Sequence, residues 1–368
     1  MTRAAPPTRA SHIRAERRGA LGVVELARPE ALNALTHAMV VDMADALLAF
    51  AADPAVERVL ITGAGERALC AGGDVVTLRD DVDRTRGQGA ASFWRDEYAL
   101  NALIARFPKP VVALQHGIVL GGGVGISGHA SHRVVTDTTR IGFPEVTIGF
   151  VPDVGATWLL TRRRGELGTR AALTGDHFGA ADAIALGLSD RYVPADRLAE
   201  LVSRLETTDP GDAIDALASA PPEGGLEPAR ALIDHAFASD DPAQIVERLH
   251  AAGEPGRSLA ATIEQRSPFA VAVTLAALRR ARRLGSLEEA LVQEYRVSRH
   301  TSLAADFSEG VRAQLVDKDR APQWRPGSLA GVTPAMVEAC FAPVPEGDLE
   351  LPAPAAAADA RSLDEETA

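Results

Sequence analysis

Glu145 and Asp153 stand eight positions apart in the segment from Pro144 to Gly155, which is otherwise apolar and punctuated by Pro and Gly. Each acid directly follows a proline, which fixes φ and has no N–H to donate. A carboxyl in apolar surroundings titrates above its ordinary range, so it can trade protons near neutral pH. Two such groups in one short stretch suit a site that divides acid and base work between them. The plainer reading is a surface loop with two solvated acids.

Two glycine loops offer complementary chemistry: Ala71-Gly72-Gly73-Asp74 and Gly121-Gly122-Gly123-Val124-Gly125. A backbone without Cβ can approach a ligand closely. Two N–H groups on separate loops can form an oxyanion hole, each donor lowering a barrier by roughly 3–4 kcal/mol. If the second loop opens a helix, its dipole adds to the effect. Taken singly, either loop reads equally well as an ordinary turn.

Other motifs compete. Gly123-Val124-Gly125-Ile126-Ser127-Gly128 fits the G-x-G-x-x-G dinucleotide fingerprint, with Glu145 about 20 residues on, so a nicotinamide-dependent dehydrogenase is an open reading. Against it, Glu145 follows a proline, not a clear second strand, and few βα units come after the motif. His129 and His132 are spaced as on one helical face, but no third ligand completes a zinc set, and no metal is expected. His116 reads as structural. There is no G-x-S-x-G elbow to support a serine hydrolase. Cys70 has no histidine near it in sequence and reads as a packed thiol.

The elements that must position these groups alternate. Residues 20–27 read as a strand ended by Arg28-Pro29, and Thr36 as the N-cap of a helix with Met39, Val40, Met43, Leu47 and Leu48 on its apolar face. Val59–Gly63 is a strand, 91–106 an amphipathic helix ended by Pro108, Val111–Val119 one buried strand, and Arg133–Thr136 another. Such alternation predicts an α/β layer structure, with ligands where strands run into glycines. From about Ala171 helical signals dominate, with Gly175 and Gly187 as stops and long helices over 269–300. The expected organisation is a basic disordered tail over 1–15, an α/β core over 16–205, a helical region over 206–345, and a disordered Ala/Pro/acid-rich tail over 346–368.

Composition narrows the function classes. The chain has 368 residues, 46% hydrophobic, a soluble enzyme's balance. A net charge of −12 and 4% aromatics argue against nucleic-acid binding. No apolar run reaches the roughly 18 residues of a membrane span. Cys70 and Cys340 are the only cysteines, too few for a disulfide framework, and a reduced cytoplasmic setting follows. The N-terminus, with Arg3, Arg9, Arg14, Arg17 and Arg18, lacks the apolar core of a secretory signal. It reads as a tail, with an organellar transit peptide as the other reading.

Taken in order, the residues resemble the crotonase (enoyl-CoA hydratase/isomerase) superfamily. The matching run begins at Leu26–Leu35 and continues through Ala71-Gly72-Gly73-Asp74, Pro108–Ala113, His116-Gly117 and Gly121-Gly122-Gly123, covering roughly residues 20–340. The resemblance implies a spiral of ββα units with a helical C-terminal region, an acyl-CoA substrate and no further cofactor. It maps the oxyanion hole onto the amides of Gly73 and Gly122, with Ala71, Gly72, Asp74 and Gly121 among the substrate-binding residues. Within the superfamily the chain is most similar to the 3-hydroxyisobutyryl-CoA hydrolases, through Trp94–Asn101, Phe143–Glu145 with Pro152–Gly155, Glu294–Ser298, and Asp306–Ala313 leading into Asp317–Asp319. That likeness implies Glu145 and Asp153 as the catalytic pair and Glu97 in the substrate pocket. Hydratases carry a second catalytic glutamate that would fall at Gly125, where this chain has no carboxylate. Thioester hydrolysis is therefore expected over hydration. An enoyl-CoA hydratase or isomerase and a non-catalytic acyl-CoA-binding protein are the alternatives. Superfamily relatives often form trimers, so a homo-oligomer is compatible with the resemblance.

Overall fold

The computed structural model describes residues 12–351. Two sheets carry the α/β part. The larger has six strands in the order β1-β2-β3-β5-β7-β10 and the smaller four in the order β4-β6-β8-β9. In the larger sheet β1 (Ile13–Arg18) is antiparallel to β2 (Leu21–Leu26), and β2, β3 (Arg58–Gly63), β5 (Val111–Gln115), β7 (His132–Val135) and β10 (Arg191–Tyr192) run parallel. Every residue of β5 is buried, as expected for a parallel strand covered on both faces.

The smaller sheet aligns β4 (Ala68–Cys70), β6 (Ile118–Leu120) and β8 (Arg140–Gly142) in parallel, with β9 (His177–Phe178) antiparallel at the edge. The chain alternates between sheets: β3 leads into β4, β5 into β6, and β7 into β8. This is the ββα spiral implied by the family resemblance.

The sequence reading of one strand over Val111–Val119 is corrected. The chain breaks at His116-Gly117, and its two halves join different sheets. Gly117 has φ +58°, and a Cβ there would lie 2.3 Å from the Arg67 carbonyl oxygen, so only glycine can make the crossing.

Two helices follow the expected punctuation, α1 (His37–Ala52) and α3 (Gln88–Ala105), and a helix the sequence reading did not expect, α2 (Val75–Thr85), lies between them. Thr36 caps α1 by accepting from the Met39 N–H. Gly175 and Gly187 both end helices in the left-handed conformation. The region after Ala171, read as helical, also contains the short strands β9 and β10, which add an edge to each sheet.

The tail boundaries also move. Residues 13–15 belong to β1. At the other end Glu346 pairs with Arg299 and Asp348 with Arg296, and Leu349 is buried, so 346–349 pack onto the fold. Residues 1–11 and 352–368 of the expected tails lie outside the described residues. One hydrophobic cluster runs from Ile13 through Trp94 and Tyr98 to Tyr295, Phe307 and Leu349, so the α/β part and the helices share a core.

Candidate active site

The parallel register of the smaller sheet assembles the site. Cys70 pairs with Val119, Val119 with Ile141, and Leu120 with Gly142. The segments that leave the C-terminal ends of β4, β6 and β8 therefore start side by side. They are Ala71–Asp74, Gly121–Gly122 and Phe143-Pro144-Glu145, the predicted constellations. The crevice beyond the carboxyl ends of parallel strands is where ligands bind in open α/β sheets. Here it holds a cavity of about 540 Å³ lined by Gly73, Gly122, Glu97, Glu145 and Asp153, with Ala71, Gly72 and Gly121 also on its wall.

Gly122 opens α4 (Gly122–Gly125), a single short turn. A Cβ on Gly122 would lie 3.3 Å from the Gly73 amide nitrogen, so the two loops meet at these residues. Among the described residues neither the Gly73 nor the Gly122 N–H has a protein acceptor. Carboxyls flank this turn. The Glu145 Oε1 is 2.5 Å from the Cβ position of Gly121, and the Glu97 Oε1 is 2.6 Å from that of Gly122.

Glu145 begins a turn of 3₁₀ helix, Glu145–Ile148, that Gly149 closes at φ +68°. A Cβ at Gly149 would lie 2.2 Å from the Asp306 carbonyl oxygen, so this turn is pressed against the helix Ala305–Val311. Asp153 sits in a clamped bend. Val154 has φ +58°, a strained value for a β-branched residue. His129 Nε2 donates to the Val154 carbonyl at 2.8 Å. Glu294, on helix Leu287–Ser302, accepts from the Gly155 N–H at 2.6 Å, the Thr157 N–H at 2.8 Å and the Thr157 hydroxyl at 2.6 Å. These last groups start α5 (Ala156–Thr161), so Glu294 caps it from more than a hundred residues away.

Burial governs the electrostatics. Glu97, Glu145 and Asp153 are 2%, 7% and 5% exposed. Desolvation, then repulsion from Asp153 and Glu145, holds the Glu97 carboxyl well above its usual range. Glu145 is raised in the same way by burial and by Asp153. Burial lifts Asp153 to about 7, although the Tyr98 hydroxyl, donating to Oδ2 at 2.6 Å, opposes it. Three acids around one cavity cannot all be ionised at neutral pH, so proton donors and a proton acceptor coexist there. Among the described residues, one buried oxygen each of Glu97 and Glu145 has no hydrogen-bond partner.

Asp74 does not line the cavity: its carboxylate accepts from the Thr77 N–H at the start of α2 and pairs with Arg28 at 3.2 Å. Cys70 is a packed thiol, as read, with burial pushing it up to about 12. His129 and His132 do not share a helical face; His129 lies in a turn and His132 opens β7. The glycines of the G-x-G-x-x-G stretch face protein. A Cβ on Gly123 would meet the Cys70 carbonyl oxygen at 2.2 Å, and one on Gly128 the Val124 carbonyl oxygen at 2.9 Å. Among the described residues these glycines are used for internal packing, which speaks against the dehydrogenase reading.

The family model of enoyl-CoA hydratase/isomerase matches residues 21–341. The chain belongs to this family. Its relatives include the mitochondrial 3-hydroxyisobutyryl-CoA hydrolase of Danio rerio, 36% identical, covering 93% of this chain and 92% of the relative. The 3-hydroxyisobutyryl-CoA hydrolase 1 of Arabidopsis thaliana is 35% identical, over 93% and 94%. A crystal structure described as a carnitinyl-CoA dehydratase from Mycobacterium thermoresistibile superposes with a TM-score of 0.88 at 48% identity, over 91% of this chain and 98% of that one. The position the resemblance gives to a second acid, Gly125, is closely packed. A Cβ on Gly125 would lie 2.7 Å from the Val154 Cβ and 2.9 Å from the Asn101 Nδ2.

Tyr98, Asn101, Glu294 and Ser298 received no role from sequence. A faint signal was there: Glu97 and Asn101, and Glu294 and Ser298, are polar pairs four apart, each on one face of a largely buried helix.

Proposed function

We propose that this protein hydrolyses the thioester of a short β-hydroxyacyl-CoA, 3-hydroxyisobutyryl-CoA first among them, a compound of valine breakdown. The observation that carries the reading is the packing at Gly125. Val154 and Asn101 occupy the space a second hydratase acid would need, while Asp153 offers a carboxyl from another wall of the cavity. The names of the relatives from Danio rerio and Arabidopsis thaliana point the same way.

In this reading the Gly73 and Gly122 N–H groups receive the thioester oxygen and stabilise the negative charge it gains during attack. Glu145 activates water as general base or attacks the carbonyl itself. Asp153 orients the 3-hydroxyl or the attacking group, and Glu97 contacts the substrate. Protonated neighbours supply the proton that the leaving thiolate takes up. Arg266 and Arg320 at the cavity rim offer positive charge for CoA phosphates. CoA enters as part of the substrate, and no cofactor is invoked.

A second reading, hydration or dehydration, is favoured by the 48% identity to the structure described as a carnitinyl-CoA dehydratase and 41% to one described as an enoyl-CoA hydratase from Rhodobacter sphaeroides. One comparison separates them. Hydrolysis releases free CoA thiol from 3-hydroxyisobutyryl-CoA; hydration removes the conjugated enoyl absorbance of crotonyl-CoA. Thiol release is the expected result. Absorbance loss without thiol release would establish the second reading, and binding of both esters without turnover would mark an acyl-CoA-binding protein.

The described residues hold no helix long and apolar enough to cross a membrane. Both cysteines are free thiols, which fits a reducing compartment. We assign the enzyme to the cytoplasm, although the Danio rerio relative is named mitochondrial. Cell fractionation tests the assignment.

A further inference from the structure

Asp153 is tied to helix Leu287–Ser302 by a buried hydrogen-bond chain. The Tyr98 hydroxyl is 2.6 Å from Asp153 Oδ2 and 2.8 Å from Ser298 Oγ. Tyr98 and Ser298 are both fully buried, and Asp153 lines the cavity whereas Tyr98 does not. A phenol has one proton to give. The 2.6 Å separation is in the range of a charge-assisted O–H···O⁻ bond, so that proton goes to the carboxylate. The Ser298 hydroxyl then donates to the phenol oxygen. The chain therefore runs Ser298 to Tyr98 to Asp153 and joins helix Leu287–Ser302, α3 and the bend before α5.

The titratable groups packed around Asp153 are mostly acids: Glu97 on α3, Glu145 after β8 and Glu294 on helix Leu287–Ser302. His129, behind Val154, is held neutral by burial, which lowers it to about 4. Burial favours a protonated Asp153, and Tyr98 is the side chain that works against it. We propose that Tyr98, seated on Ser298, is a positioning residue for the hydrolysis described above: its hydroxyl fixes the orientation of Asp153 and stabilises its carboxylate form. The proposal rests on Asp153 taking part in that reaction, but its electrostatic half can be read without turnover.

The test uses full-length protein with ¹³Cγ-labelled aspartate, the Asp153 resonance being identified by its loss in Asp153→Asn. In Tyr98→Phe the Asp153 midpoint rises by about one pH unit, the size expected for losing one hydrogen bond to a charged group. In Ser298→Ala it rises by less. The pH limb of kcat for CoA release moves upward with it, while KM changes by less than about threefold. An unmoved midpoint in a Tyr98→Phe protein that melts like wild type overturns the proposal. If Tyr98→Phe does not fold, Ser298→Ala decides alone: a rise supports the proposal and an unmoved midpoint overturns it. A wild-type protein that releases no CoA thiol would refute the hydrolase reading, and the titration would still decide the role of Tyr98.

Discussion

Gly125 packs directly against Val154: a Cβ on the glycine would lie 2.7 Å from the valine Cβ. Val154 cannot easily retreat, because it is held at φ +58° with its carbonyl bound by His129. Gly125→Ala should therefore destabilise the fold by about 1–3 kcal/mol, the usual range for overpacking. Denaturant melts measure this. Gly125→Glu, where soluble, should not gain crotonyl-CoA hydration; a hydratase rate in that variant would refute the steric argument.

Glu145 faces the same cavity with one carboxyl oxygen unpartnered. Glu145→Gln keeps its shape and removes its basicity. Turnover should fall by about 10²–10⁴, the contribution expected of a general base, and by more if Glu145 is the nucleophile. Calorimetric titration with a CoA thioester should give a Kd within a few-fold of wild type. Near-normal turnover would remove Glu145 from the mechanism.

The two oxyanion glycines should differ in their tolerance of a methyl group. At Gly122 a Cβ would lie 2.6 Å from the Glu97 Oε1 and 3.3 Å from the Gly73 N, in the space where the oxygen would bind. At Gly73 the closest approach is an ordinary 3.4 Å contact with the Phe93 ring. Gly122→Ala should lower kcat/KM by about 10²–10³, as loss of one oxyanion donor does. Gly73→Ala should cost less than about tenfold. Equal effects would argue against this geometry.

The buried acids predict how stability depends on pH. Asp153 rises from an ordinary 3.8 to about 7, and Glu294 from 4.5 to about 8, each mainly through desolvation. The folded chain then binds more protons than the unfolded chain between those values. This contribution is fully present below the ordinary carboxyl range and is lost as pH rises through about 7 for Asp153 and about 8 for Glu294. Unfolding free energy should thus be lower at pH 8.5 than at pH 5.5. In Asp153→Asn the drop should shrink, since one of these groups no longer titrates. Chemical denaturation at the two pH values reads both; an identical drop in the variant would refute the assignment of Asp153.

Much of this protein was legible in the chain because its signals are local. Thr36 lies next to the helix it caps, Gly175 and Gly187 directly follow the helices they end, and the apolar spacing of Met39, Val40, Met43 and Leu47 lies within one helix. The two glycine loops, Glu145 and Asp153 could be singled out for the same reason: their chemistry is carried by residue type and immediate neighbours. Tertiary structure decided what these groups do together. That the break at His116-Gly117 sends its two halves into different sheets is not written locally, because the partner strands that separate them lie elsewhere in the chain. Asp74 became a helix cap when Arg28, 46 positions away, claimed its other oxygen. Ser298 reaches Tyr98 across 200 positions, and Glu294 reaches Thr157 across 137. A carboxyl's proton affinity follows from the water excluded around it, and at Glu97, Glu145 and Asp153 that exclusion is the work of strands and helices that meet only when the chain is folded.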